Sequence, residues 1–92
     1  MASDADNRVY IKVASVIDKM GFILPQEVIW ADGRVFPIES VEACRPMVIL
    51  DGRSYQDCYT VIIRGKKKQL FFERIDTQSA QRVGRWFVKI AE

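Results

Sequence analysis

Trp30-Ala31-Asp32-Gly33-Arg34 lies between two apolar runs, Val28-Ile29 before it and Val35-Phe36 after it, and its reading decides the fold. Asp-Gly between β-favouring runs signals a hairpin, because glycine accepts the positive φ that a tight reversal needs. Two registers compete, and they differ in which side chains share a face. A two-residue loop pairs Ala31 with Arg34, putting Val28 and Trp30 on one face and Phe36 and Ile38 on the other. A three-residue loop with a glycine bulge pairs Trp30 with Arg34 and Val28 with Phe36. It gathers Val28, Trp30, Phe36 and Ile38 on one face, with Glu27, Val35 and Glu39 opposite. The bulged register is therefore expected. Pro37 lacks an N–H donor and marks an edge or a bulge on its outer side.

Outward from this hairpin the chain repeats the same grammar. Asp51-Gly52-Arg53 duplicates the turn tripeptide, and Arg64-Gly65-Lys66 supplies a third reversal. From Arg8 to Ile17 a helical face (Val9, Val13, Val16, Met20) competes with strand alternation (Val9, Ile11, Val13). The density of Val and Ile favours the strand. Val41 to Leu50 reads as extended, with a break near Arg45-Pro46. Tyr59 to Ile63 is apolar on both faces, as in a central strand, and Leu70-Phe71-Phe72 follows the third turn. Asp76 to Gly84 is a polar loop or a single helical turn, and Trp86 to Ile90 closes the fold. The expectation is an all-β protein: residues 1–7 as a disordered tail, then a single domain over residues 8–92. The short strands and tight turns predict a small SH3-like barrel or roll of five to six antiparallel strands.

Composition narrows the function classes. The chain has 92 residues, 49% of them hydrophobic, enough for one core without metal or disulfide support. No apolar run approaches the roughly 20 residues of a membrane helix. The stretch Met1 to Asp6 is polar and acidic, unlike a secretory signal, so a cytoplasmic protein is expected. Cys44 and Cys58 are then expected to be reduced thiols. The absence of histidine removes histidine-dependent triads and metal sites. Gly33, Gly52 and Gly65 stand singly in turns and make no phosphate loop. Glu39 and Glu42 read as solvated acids. No catalytic, cofactor or metal residue is expected, and the protein reads as a non-enzymatic binding module.

Charge is unevenly distributed along the chain. Residues 1–59 carry six Lys/Arg against nine Asp/Glu, and residues 60–92 carry eight against three. Arg64, Lys66, Lys67 and Lys68 crowd one hairpin, with Arg74, Arg82, Arg85 and Lys89 in neighbouring elements. Arg64, Lys66, Lys67, Lys68, Arg74 and Arg85 are the candidate nucleic-acid contacts, with Tyr55, Tyr59, Phe71 or Phe87 available to stack bases. The competing reading is a solubilised hairpin tip that guards an edge strand. Trp30, Phe36, Phe72 and Trp86 alternate with polar residues, as core aromatics do. Phe71 and Phe87 have the opposite parity and would form an exposed patch for a protein partner or a homodimer. Protein interaction or self-association is the leading expectation, and nucleic-acid binding through the basic hairpin is the alternative.

A wider pattern joins these pieces: Val9-Tyr10-Ile11-Lys12-Val13, Trp30-x-Asp32-Gly33-Arg34, Phe36-x-Ile38-Glu39-x-Val41 and Arg45-Pro46. It continues through Tyr59-Thr60-x-x-Ile63-x-Gly65-Lys66, Leu70-Phe71-Phe72-Glu73 and Arg85-Trp86-Phe87-Val88. Over most of the chain after the tail it resembles a family of small uncharacterised proteins of Firmicutes, mainly Clostridia. These motifs are turns and aromatic strand positions, and the resemblance implies no catalytic residues. The family's association with genes for error-prone DNA polymerases implies a setting in DNA metabolism. The Met47-to-Gln56 connection departs from the family, being apolar and then polar where the relatives carry a glycine-rich segment.

Overall fold

The bulged hairpin forms in the expected register. In the computed structural model, which describes residues 7–48, 55–74 and 84–90, Val28 pairs with Phe36, between Glu27–Pro37 and Ile29–Val35. The Trp30 N–H donates to the Arg34 carbonyl (2.8 Å) and the Gly33 N–H to the Trp30 carbonyl (2.9 Å), with Gly33 at φ 92°. Positive φ at Gly33 is what the bulge position of a three-residue loop demands. A side chain there would meet no neighbour, so the requirement is purely conformational.

With the two strands of this hairpin, the described residues form seven: β1 (Arg8–Ile17), β2 (Ile23–Ile29), β3 (Val35–Pro37), β4 (Ser40–Val48), β5 (Tyr55–Ile63), β6 (Lys66–Arg74) and β7 (Gly84–Lys89). They make one antiparallel sheet in the order β3-β2-β1-β7-β6-β5-β4, curled into a half-barrel. The barrel-like, all-β expectation holds, and the strand count exceeds five to six for a definable reason. β3 and β4 are two parts of one run bent at Ile38-Glu39. The Ile38 N–H donates to Gln26 on the β2 side (2.9 Å), and the Glu39 N–H donates to Ile62 on the β5 side (2.8 Å). Two consecutive residues thus tie the two outermost strands of the sheet together, and the sheet must curl.

The competition at residues 8–17 resolves as strand, paired with β2 on one side and β7 on the other. The break expected near Arg45-Pro46 is absent. β4 runs straight through, with Pro46 opposite Asp57, and its irregularity falls between Val41 and Ala43. Among the described residues β4 has a strand neighbour only on the β5 side, so the missing Pro46 N–H faces an edge that they leave unpaired. The Asp51-Gly52-Arg53 turn and most of the Asp76-to-Gly84 segment lie outside the described residues.

Inside the curl, Val28, Tyr59, Val61, Leu70, Phe72 and Trp86 form the buried cluster, with Trp30, Phe36, Ile38 and Val41 packed against it. Trp86 sits between Phe72 (ring centroids 4.8 Å) and Tyr59 (5.2 Å). Each buried side chain of this size contributes about 1.5–3 kcal/mol by leaving water. At the β1–β2 tip the Asp18 carboxylate accepts the N–H groups of Met20 and Phe22, both at 2.9 Å, and leaves their side chains 73% and 63% exposed. No helix among the described residues is long and apolar enough to cross a membrane.

Candidate functional site

In an antiparallel meander alternate turns emerge at the same end, so the β2–β3 and β5–β6 turns are neighbours. Ile63 pairs with Lys66, leaving Arg64-Gly65 as a two-residue loop with φ of 53° and 74°. Two positive φ values define a type I′ turn, whose twist matches that of the flanking strands. Arg64 accepts a left-handed conformation at a cost of about 1–2 kcal/mol for a residue with a Cβ. The Glu39 carboxylate takes the Gly65 N–H at 3.1 Å and fixes the turn against the β3–β4 bend. Phe36 receives cations from both turns, with the guanidinium of Arg34 at 5.6 Å and that of Arg64 at 4.9 Å from its ring centre.

Between these turns the half-barrel opens into a cleft of about 670 Å³. Its floor is Val28, Val61 and Leu70, and Trp30, Phe36, Ile63 and Val88 form the walls. Among the described residues, every charged one lining it is a cation: Arg34, Arg64, Lys66, Lys67, Lys68 and Lys89. Asp32 stands just outside, paired with Arg34 at 2.6 Å, and the Arg34 N–H holds its carboxyl below the ordinary value. Apolar depth beneath a few polar groups is the usual form of a ligand site, and barrel mouths are a usual place for one.

One wall of the cleft is incomplete as a sheet. The β6–β7 ladder runs from Arg74–Gly84 to Phe71–Phe87 and stops there. Beyond it β7 follows β1, pairing Val88 with Val9 and Lys89 with Arg8. Among the described residues, Lys66 to Gln69 therefore have a strand neighbour only in β5.

The structure divides the basic residues nominated from sequence. Arg64, Lys66, Lys67 and Lys68 gather at the mouth. Arg74 stands at the far end of the same strand, about 27 Å away at ~3.4 Å per residue. It grips the buried Asp57 carboxylate with its Nε (3.0 Å) and Nη2 (2.8 Å). Arg85 lies on the outer face and donates to Glu73 at 2.7 Å. Neither belongs to the basic hairpin site.

Phe71 and Phe87 do face outward, as their parity requires, yet they form no exposed patch: they are 5% and 0% exposed. The two rings stack at 5.1 Å, with Tyr10 edge-on to Phe87. Arg8 covers Phe87 at 4.6 Å, and Lys89 covers Phe71 at 4.9 Å. Glu73 holds this cover in place, accepting from Arg8 Nη1 (2.6 Å), the Tyr10 hydroxyl (3.1 Å) and Arg85. Tyr59, another base-stacking candidate, is buried in the core, with its hydroxyl donating to the Ile23 carbonyl at 2.8 Å. The Tyr55 side chain is outside the described residues.

Arg34 is the cation that sequence reading missed, although turn alternation already places it beside Arg64. Phe36 and Trp30, read as core, are half-buried and reach the cleft. Cys44 and Cys58 are free thiols on opposite faces of the sheet, since Cys44 pairs with Tyr59 and Cys58 with Arg45. Burial raises both above the ordinary thiol value. Comparison of the chain with protein-family models, curated proteins and solved structures finds no match in any of the three.

Proposed function

We propose that the protein is a non-enzymatic, cytoplasmic binding module that recognises an acidic segment of another protein at the barrel mouth. The observation that supports this most is the cleft itself, apolar in depth and, among the described residues, lined by no charge other than cations. Anions would be attracted to the rim, and apolar side chains would be desolvated on Val61, Leu70 and Val88.

Nucleic acid is less well supported. The floor of Val28, Val61 and Leu70 offers no hydrogen-bonding side chain for base edges, and of the stacking candidates Tyr59, Phe71 and Phe87 are buried, which leaves Trp30 and Phe36 on the walls. Self-association has its own observation in its favour, the exposed Ile17, Met20 and Phe22 at the β1–β2 tip. Light scattering across micromolar to millimolar concentration tests it, and a strict monomer removes it.

Titration with poly-glutamate and with oligo-dT, followed by NMR of backbone amides, tests the main reading. Poly-glutamate is expected to shift Lys66, Lys67 and Lys68. Replacing all three lysines with alanine is expected to weaken binding about tenfold, at ~0.5 kcal/mol for each exposed pair. Failure of poly-glutamate to bind at low salt refutes the reading. Binding of oligo-dT alone, with a log–log salt slope of about −2 to −3 for three or four phosphates, would replace it with nucleic-acid recognition.

A further inference from the structure

We infer that the partner binds by adding a β-strand to the open edge of β6, with acidic side chains on its outer face and apolar side chains on its inner face. The inference rests on the acidic-segment reading above and specifies its geometry.

Hydrogen-bonding direction alternates along an antiparallel strand. In a two-residue hairpin the residues flanking the loop, Ile63 and Lys66, are mutually hydrogen-bonded, and so are Val61–Lys68 and Tyr59–Leu70. Lys67 and Gln69 therefore aim their N–H and C=O groups away from β5. Phe71 and Glu73, two and four residues further on, aim theirs the same way and are paired with β7. Lys67 and Gln69 fall beyond the last β6–β7 pair, so among the described residues the ladder is formed over one half of β6 and vacant over the other. The cleft opens alongside the vacant half, between Lys66–Phe71 and Val88–Lys89.

A guest strand here would complete a ladder that β6 already presents in extended form. Its side chains would alternate across the sheet. Those turned inward would enter the cleft over Leu70, Val61 and Val88, where apolar groups gain most. Those turned outward would stand beside Lys67, where a carboxylate is favoured. Lys66 and Lys68, with inward parity at the lip, favour an acidic residue at the end of the guest nearest the turn. The lysines would also disfavour recruitment of uncharged strands, which gain nothing from them. Nucleic acid has no peptide backbone with which to continue the alternating N–H and C=O ladder, and this distinguishes the two partner classes.

The test uses the full chain and a synthetic peptide of alternating Glu and Val, eight residues long. Its partners in the assay are the same peptide methylated on alternate backbone nitrogens in either frame, poly-glutamate, and oligo-dT. With peptide at ten times its Kd, hydrogen exchange of the Lys67 and Gln69 amides is expected to slow about tenfold. Methylation in the frame that faces β6 is expected to weaken binding about 10- to 100-fold, through two lost hydrogen bonds. Equal binding of both methylated peptides, or unchanged exchange at Lys67 and Gln69, overturns strand addition while leaving the acidic-segment reading intact. Loss of binding by every acidic chain, poly-glutamate included, overturns both.

Discussion

The outer face of β1, β7 and β6 and the cleft at the barrel mouth are made from the same materials, aromatic rings and cations, with opposite results. On the outer face Arg8 and Lys89 lie flat on Phe87 and Phe71, and the rings are sealed from water. At the mouth Lys66, Lys67 and Lys68 project into solvent, and Phe36 remains half-exposed between two arginines. The difference is one buried carboxylate. Glu73 anchors two guanidiniums and a phenol, which converts cations into a lid. Among the described residues the mouth has Asp32 and Glu39 at its margins, and both are engaged by turn geometry. A cation becomes structural when an anion is buried beside it and stays available for a ligand when none is.

The strongest way to break the comparison is Glu73→Ala. It strands Arg8, whose side chain is 16% exposed, without its counter-charge. A loss of about 3–5 kcal/mol is expected in urea denaturation, as for a buried pair deprived of one partner. Binding at the mouth should persist in whatever fraction remains folded. A loss below 1 kcal/mol, the value of ordinary surface pairs, would mean that the outer face is not sealed by charge.

The hairpin register was legible in the sequence because only one pairing puts Val28, Trp30, Phe36 and Ile38 on a common face. The fate of Phe71 and Phe87 was not. Parity gives the face of a residue, whereas burial depends on distant partners: Arg8, seventy-nine positions away in the chain, covers Phe87, and Phe87 and Lys89, sixteen and eighteen positions away, cover Phe71. Likewise the run of basic residues from Arg64 to Arg85 reads as one cluster, but a nine-residue strand carries Arg74 to the opposite end of the sheet. The open half of β6 was hidden for a similar reason. It depends on β7 turning towards β1, and no local pattern in Lys66–Gln69 records where another strand goes.

A smaller effect is expected at Tyr59, which closes the curl from inside. Tyr59→Phe leaves the Ile23 carbonyl without its donor and should cost about 1 kcal/mol at neutral pH. Burial, and secondarily Cys44, raises the phenol above its ordinary value of 10.0. The folded state thus holds the proton more tightly than the unfolded state. That contribution to stability is complete below pH 10 and is lost as the pH rises further. Thermal unfolding of the variant should show a shallower alkaline decline by one proton, and an unchanged slope would place Tyr59 outside the core.

The smallest effect has the opposite sign. Arg64→Asn suits the left-handed conformation better and should stabilise the hairpin by about 0.5–1 kcal/mol, read as a higher urea midpoint. Because it removes one cation from the mouth, the same variant should bind poly-glutamate more weakly. Greater stability together with weaker binding would separate the two regions in a single molecule. Unchanged binding would shift the site toward Lys66–Lys68 alone.

The central place of β7 has a consequence for how the chain assembles. β1 to β3 are successive hairpins, and so are β4 to β6; each trio can close through local loops as soon as it is synthesised. Apart from the Ile38-Glu39 bend, the two trios are joined in the sheet through β7, which is made after both and pairs with the first strand of one and the last strand of the other. Until it arrives, Tyr10 and Phe71 lack the Phe87 ring between them, and two long strand edges stand open to other chains. The vacant edge beside Lys67 and Gln69 is the portion of that opening which β7 never reaches.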